Sequence, residues 1–142
     1  MKINVISGPN INLLGNREKN HYGDITYDNL KKTLLKEGDR LNVDIDFFQS
    51  NYEGKIVDYI QKNVQAGAFI VNAAAYTHTS VAIRDALIAA KKPFVEVHLS
   101  NIFAREHFRH KSFLADIADG VVAGLGIHSY LSALYYLANK YS

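Results

Sequence analysis

Two pairs of side chains in this sequence have the types and spacing for acid–base chemistry. The first is Arg17 and Tyr22, in the stretch from Gly8 to Asp24. A free phenol titrates near pH 10 and is a poor base at neutral pH. Lowering that by about two to three units takes roughly 3–4 kcal/mol of preference for the phenolate. One guanidinium about 4 Å away, at an effective dielectric of about 20, supplies that much. Arg17 and Tyr22 therefore read as a base and its stabiliser. The plainer reading is a solvated arginine and a tyrosine packed on a loop. The second pair is Glu96 and His98. Two residues apart on a strand, they point to the same side. A carboxylate beside an imidazole favours the protonated ring, so the ring can hold a proton and give it up. The competing reading is a strand-end histidine satisfied by a backbone carbonyl.

Other polar groups gather near these pairs. His78 lies in Tyr76-Thr77-His78-Thr79-Ser80, at the start of an expected helix, where free backbone donors suit an oxygen-rich ligand. Simple N-capping by Thr77, Thr79 or Ser80 is the alternative. A metal held by His78, His98 and Glu96 would be a third reading, but no HExxH or similar spacing supports it. Arg105 to Lys111 is densely basic and reads as an anion or polyol clamp with Arg105 and Arg109, part of it plain solvated surface. His21, His107, His110 and His128 read as structural. Lys31, Lys32, Lys36, Lys62, Lys91 and Lys92 fall in helix surface patterns, and no lysine follows a strand as a Schiff-base lysine usually does. There is no P-loop, GxGxxG or GxSxG.

Composition narrows the classes further. The 142 residues suggest one domain with a real core. A net charge of +2 is too small to argue for a nucleic-acid or membrane partner. With no cysteine, disulfides, thiolate metal sites and cysteine nucleophiles are excluded. No apolar run approaches the roughly 20 residues of a membrane helix, and Met1-Lys2 leads straight into a strand pattern, so a cytoplasmic protein is expected.

The elements that must position these groups follow in strict alternation. Strands are expected at Lys2 to Ser7, Val43 to Phe48, Ala68 to Val71, Phe94 to Val97 and Gly120 to Gly124. Helices are expected from Tyr27 to Leu41 (capped by Thr26), from a capping box at Ser50-Asn51-Tyr52-Glu53 to Ala66, from Thr79 to Lys91, and from Ile127 to Tyr141 with Ile127, Leu131, Leu134 and Ala138 on one face. Val43, Ile45 and Phe47 alternate with Asp44 and Asp46, the mark of an edge strand with one wet face. This order gives an α/β, flavodoxin-like, doubly wound five-stranded parallel sheet with helices on both faces, a single domain over residues 1–142. Ligands in such folds bind beyond the carboxyl ends of the strands. Asn10, Asn72, His78, Glu96, His98, Ser100 and Asn101 all fall at that edge. The stretch from Gly8 to Asp24 has no sustained period of its own and is too long for a plain connection, and its part from about 15 to 24 is bracketed by Gly15 and Gly23. That part reads as a mobile lid over the edge.

With those residues assembled, the chain resembles the type II 3-dehydroquinate dehydratase family of the shikimate pathway. The resemblance rests on Gly8-Pro9-Asn10-Ile11-Asn12-Leu13-Leu14-Gly15, Arg17-Glu18, Tyr22-Gly23, Asn72-Ala73-Ala74-Ala75-Tyr76-Thr77-His78-Thr79-Ser80, Arg84-Asp85, Glu96-Val97-His98-Leu99-Ser100-Asn101, and Arg105-Glu106 with Phe108-Arg109. It departs at Lys19, where the family often has proline. The resemblance implies an anti-elimination of water from 3-dehydroquinate through an enolate, with no cofactor and no metal. It implies Tyr22 as the base, Arg17 as stabiliser of its phenolate, and Asn10 as holder of a water against the enolate oxygen. His98 would be the acid, oriented by Glu96. Asn72 and the amides of Leu99 and Ser100 would take the substrate carboxylate, and His78, Asp85 and Arg109 the ring hydroxyls. Arg105 would add positive charge. It also implies a homododecamer built from trimers. Asp85 lies about 9 Å along its helix from that helix's own mouth, so it is better placed for a neighbour's pocket. The alternatives are weaker. A receiver or flavin-binding module would want acidic residues or a Thr/Ser-rich loop after the first strand, where Gly8-Pro9-Asn10 stands. A serine hydrolase using Ser80 and His78 lacks its elbow.

Overall fold

A computed structural model describes residues 1–15 and 25–142. Five parallel strands run β1 (Lys2–Ser7), β2 (Asp44–Gln49), β3 (Ala68–Asn72), β4 (Phe94–His98) and β5 (Gly120–Ala123), in the spatial order β2-β1-β3-β4-β5. This is the flavodoxin-like doubly wound order, with its switch point between β1 and β3. The helices are α1 (Tyr27–Arg40), α2 (Glu53–Lys62), α3 (Val81–Ala90) and α4 (Ile127–Tyr141).

The two-residue period of the strands divides the interior into two cores. Ile3, Val5, Ile70, Val95 and Val97 pack with α1 and α4 on one face. Ile6, Phe69, Val71 and Phe94 pack with α2 and α3 on the other. β1, β3 and β4 are apolar on both faces because helices cover both. β2, at the edge, keeps Asp44 and Asp46 in solvent, and Lys2 pairs with Asp46 at 2.6 Å.

Element ends differ from expectation where side chains take over from the pattern. α1 starts as expected, with the Asn29 N–H donating to Thr26 Oγ1 at 3.1 Å. The expected capping box does not form. Ser50 Oγ instead accepts from the Tyr52 N–H, and Tyr52 is the residue preceding the helix. α2 stops at Lys62 rather than Ala66 because the Asn63 amide donates to the Tyr59 carbonyl at 2.7 Å and closes the last turn. α3 begins at Val81, two residues later than expected, because Ser80 Oγ caps the Ile83 N–H at 2.9 Å. Residues Ala74–His78 form a separate 3-10 turn. On α4 the buried stripe is Tyr130, Leu134, Leu137 and Ala138, rotated from the expected one. Ile127 and Leu131 sit at its margin.

At the carboxyl edge the ends of β1 and β3 are locked together. The Gly8 N–H donates to the Asn72 carbonyl at 2.7 Å. A Cβ on Gly8 would stand 2.3 Å from the Ala73 carbonyl oxygen, so only glycine fits.

Candidate active site

The carboxyl edge opens into a cleft of about 130 Å³. Its walls come from the loop after β1 (Asn10, Leu13, Leu14), the turn after β3 (Asn72, Ala74, His78), the end of β4 (His98, Leu99, Ser100) and the following segment (Arg105, Arg109). The strand period sends these groups in from both faces of the sheet. Glu96 and His98 share the side of Phe94 and α3, whereas Ser7 and Asn72 share the side of α4.

On the first side, His98 Nε2–H donates to Glu96 Oε2 at 2.7 Å, with both side chains buried. The second oxygen of Glu96 accepts from Ser112 Oγ at 2.6 Å, and Ser112 Oγ in turn accepts from the Leu114 and Ala115 amides, each at 3.0 Å. The ring of His98 is thereby fixed, and its Nδ1 is left for the cleft. His78 stands beside it, ring centres 6.3 Å apart and nearly parallel. A carbonyl can only accept, so the 2.7 Å contact of His78 Nδ1 with the Lys111 carbonyl puts the proton on Nδ1. Burial holds the His78 pKa below the ordinary histidine value, and the ring presents Nε2 as an acceptor. Nε2 of His98 is thus committed to Glu96 and Nδ1 of His78 to the backbone, which fixes both rings. Among the described residues no group of three His, Cys, Asp or Glu is arranged to hold one.

On the second side, the Ala74 N–H donates to Asn72 Oδ1 at 3.1 Å, which settles which way the amide faces. Asn72 Nδ2 then donates to the hydroxyl of Tyr130 at 2.9 Å. Asn10 adopts a left-handed backbone (φ 71°), tolerable for asparagine, and its N–H donates to Asn51 Oδ1 at 3.0 Å. Arg109 donates to Glu106 at 2.8 Å, which holds the Glu106 carboxyl below the usual range. Arg105 reaches Ser100 Oγ at 3.4 Å. With Glu96 committed to His98 and Ser112, the cleft is lined by two guanidiniums, both beside Glu106, and several neutral donors, a setting for an oxygen-rich ligand.

The profile of the family described as Dehydroquinase class II matches residues 1–138. The chain belongs to this family. A 3-dehydroquinate dehydratase of Francisella tularensis subsp. novicida is 52% identical over 139 residues, covering 98% of this chain and 95% of that protein. The type II dehydroquinase structure from Butyrivibrio crossotus superposes with a TM-score of 0.95 at 41% identity, covering 96% of this chain and 97% of that one. The type II dehydroquinase from Propionibacterium acnes gives 0.93 at 38% identity, covering 98% and 97%.

In this chain the fold brings together Asn10, Asn72, His78, His98, Leu99, Ser100, Arg105 and Arg109, with Glu96 directly behind His98. Asp85 is not among the residues lining the cleft. It is exposed on α3, whose neighbouring Arg84 pairs with Asp116. Arg17 and Tyr22 lie outside the described residues, as does Gly23. Gly15 is described, with a left-handed backbone (φ 91°) and its Cβ position 2.8 Å from Thr26 Cγ2. Two residues behind the cleft escaped the sequence reading. Tyr130 was readable as core from the 130, 134, 137, 138 spacing, but nothing local marks its hydroxyl. Ser112 is 16 residues from Glu96 and has no sequence signature.

Proposed function

We propose that this cleft removes water from 3-dehydroquinate by anti elimination through an enolate, giving 3-dehydroshikimate, the shikimate-pathway step of its family. The observation that carries the reading is the buried Glu96–His98 pair facing a cleft that also holds Asn10 and Asn72. The proton next to a ketone needs a base and a stabilised enolate, and a departing hydroxide needs an acid. Tyr22, with its phenolate stabilised by Arg17, takes the C2 proton. Asn10 holds a water against the enolate oxygen. The electron pair then re-forms the ketone and expels the C1 hydroxyl, which takes a proton from His98 and leaves as water. Exchange with solvent returns a proton to His98 and removes one from Tyr22. Asn72 and the Leu99 and Ser100 amides grip the substrate carboxylate. His78 Nε2, Arg109 and a neighbouring subunit's copy of Asp85 take the ring hydroxyls, and Arg105 adds positive charge. No step in this scheme calls on a cofactor or metal.

We further propose a homododecamer built from trimers, in which Asp85 completes a neighbour's site. Its exposed position outside its own cleft supports this. No helix among the described residues is long and apolar enough to cross a membrane, and a cytoplasmic location is proposed. The test of function is the appearance of the conjugated enone absorbance when 3-dehydroquinate is added. Tyr22→Phe and Arg17→Ala should each lower turnover by orders of magnitude with a smaller change in KM. Chelator should leave the rate unchanged, and borohydride with substrate should trap nothing. A trapped adduct would mean a lysine Schiff base and would refute the scheme.

A further inference from the structure

Tyr130 is completely buried, yet its hydroxyl is not needed to fill the core. A phenylalanine would occupy the same space between α4 and the sheet without a polar group to satisfy. The hydroxyl points to the carboxyl edge, where it meets two side chains of the same face, Asn72 Nδ2 at 2.9 Å and Ser7 Oγ at 3.4 Å. Burial raises the phenol's pKa, so it stays a neutral hydroxyl that can accept from Asn72 while donating to Ser7. Asn72 is gripped from two directions. The Ala74 amide takes Oδ1, and Tyr130 takes one of the two Nδ2 hydrogens. Ala74 itself sits at a left-handed φ of 52°, so the turn that delivers its amide is not a relaxed one. Among the described residues the second Nδ2 hydrogen has no acceptor, so it is the donor that Asn72 has left for the cleft it lines.

We propose that Tyr130 is a positioning residue for substrate binding: its buried hydroxyl locks the Asn72 amide so that one N–H is aimed at the substrate carboxylate. The inference rests on the reading that Asn72 holds that carboxylate. Tyr130 touches no reacting atom, so its effect falls on KM rather than on the chemical step.

The experiment is steady-state kinetics with 3-dehydroquinate on Tyr130→Phe, Asn72→Ala and the double variant, with the unfolding temperature recorded for each. Tyr130→Phe should raise KM about three- to tenfold, the worth of one hydrogen bond, with kcat within about twofold of wild type. The double variant should match Asn72→Ala in KM, because the phenol has nothing left to aim. If Asn72→Ala raises KM and Tyr130→Phe lowers only the unfolding temperature, the phenol is merely structural and the proposal fails while the carboxylate reading stands. Multiplying KM effects in the double variant would also overturn it. An unchanged KM in Asn72→Ala would remove both readings together. Should Tyr130→Phe not fold, nitrogen-15 NMR of the wild-type Asn72 amide decides. Saturation with 3-dehydroshikimate should shift one Nδ2 proton and leave the other in place, and equal shifts of both would refute the lock.

Discussion

His78 commits one ring nitrogen to the Lys111 carbonyl and offers the other to the cleft. Burial is the main cause of its lowered pKa, with His98 and Arg109 adding to it and Glu96 and the carbonyl opposing. In the unfolded chain the same ring titrates near 6.5. Between the two values the unfolded chain takes up the proton first, so stability falls as the pH drops through 6.5 towards the folded value. Acidification from about pH 7.5 to about pH 5.5 should therefore destabilise wild type more than His78→Gln, read from urea midpoints. A variant equally acid-sensitive would show that His78 is not the group responsible. At this scale the sequence was most legible where chemistry is local. Glu96 and His98 share a strand face by the two-residue period alone. Ser112 and Tyr130 reach Glu96 and Asn72 from distant positions in the chain, and only the folded sheet brings them there.

At the scale of elements, the segment after β4 does more than supply arginines. Ser112 joins the turn at Leu114 and Ala115 to Glu96, and Arg84 holds the same segment through the Phe113 carbonyl at 2.8 Å and through Asp116. Ser112→Ala would leave a buried carboxylate oxygen and two amides without their partner. It should cost about 1–3 kcal/mol of stability and about tenfold in kcat. Ser112→Thr, which keeps the hydroxyl, should restore most of both, as measured by urea unfolding and turnover. The strands and the sheet order were readable because β1, β3 and β4 are apolar on both faces. The helix ends were less so. A capping box at Ser50 was legible as letters, but Asn51 is drawn off by the Asn10 N–H and the Tyr76 hydroxyl, which moves the helix start. Asn63 and Ser80 shift two other ends by side-chain bonds that a hydrophobic pattern does not encode.

For the whole molecule, the described chain builds a cleft lined by His98, Asn72, Arg105 and Arg109, with Asp85 exposed outside it. Hybrid oligomers put the shared-site proposal to the test. Asp85→Ala and His98→Ala protomers, each nearly inactive alone, should regain a fraction of wild-type turnover when refolded together. A dissociated monomer with full activity, identified by size-exclusion chromatography, would refute the shared site. The contact of Gly8 with Ala73 carries a consequence at this scale. Asn10 follows Gly8 by two residues, and Asn72 precedes Ala73 by one. A methyl at position 8 would act as a wedge between the arm that carries Asn10 and the arm that carries Asn72. The span between these two walls of the cleft is thus gauged by the hydrogen atom that glycine has in place of a side chain.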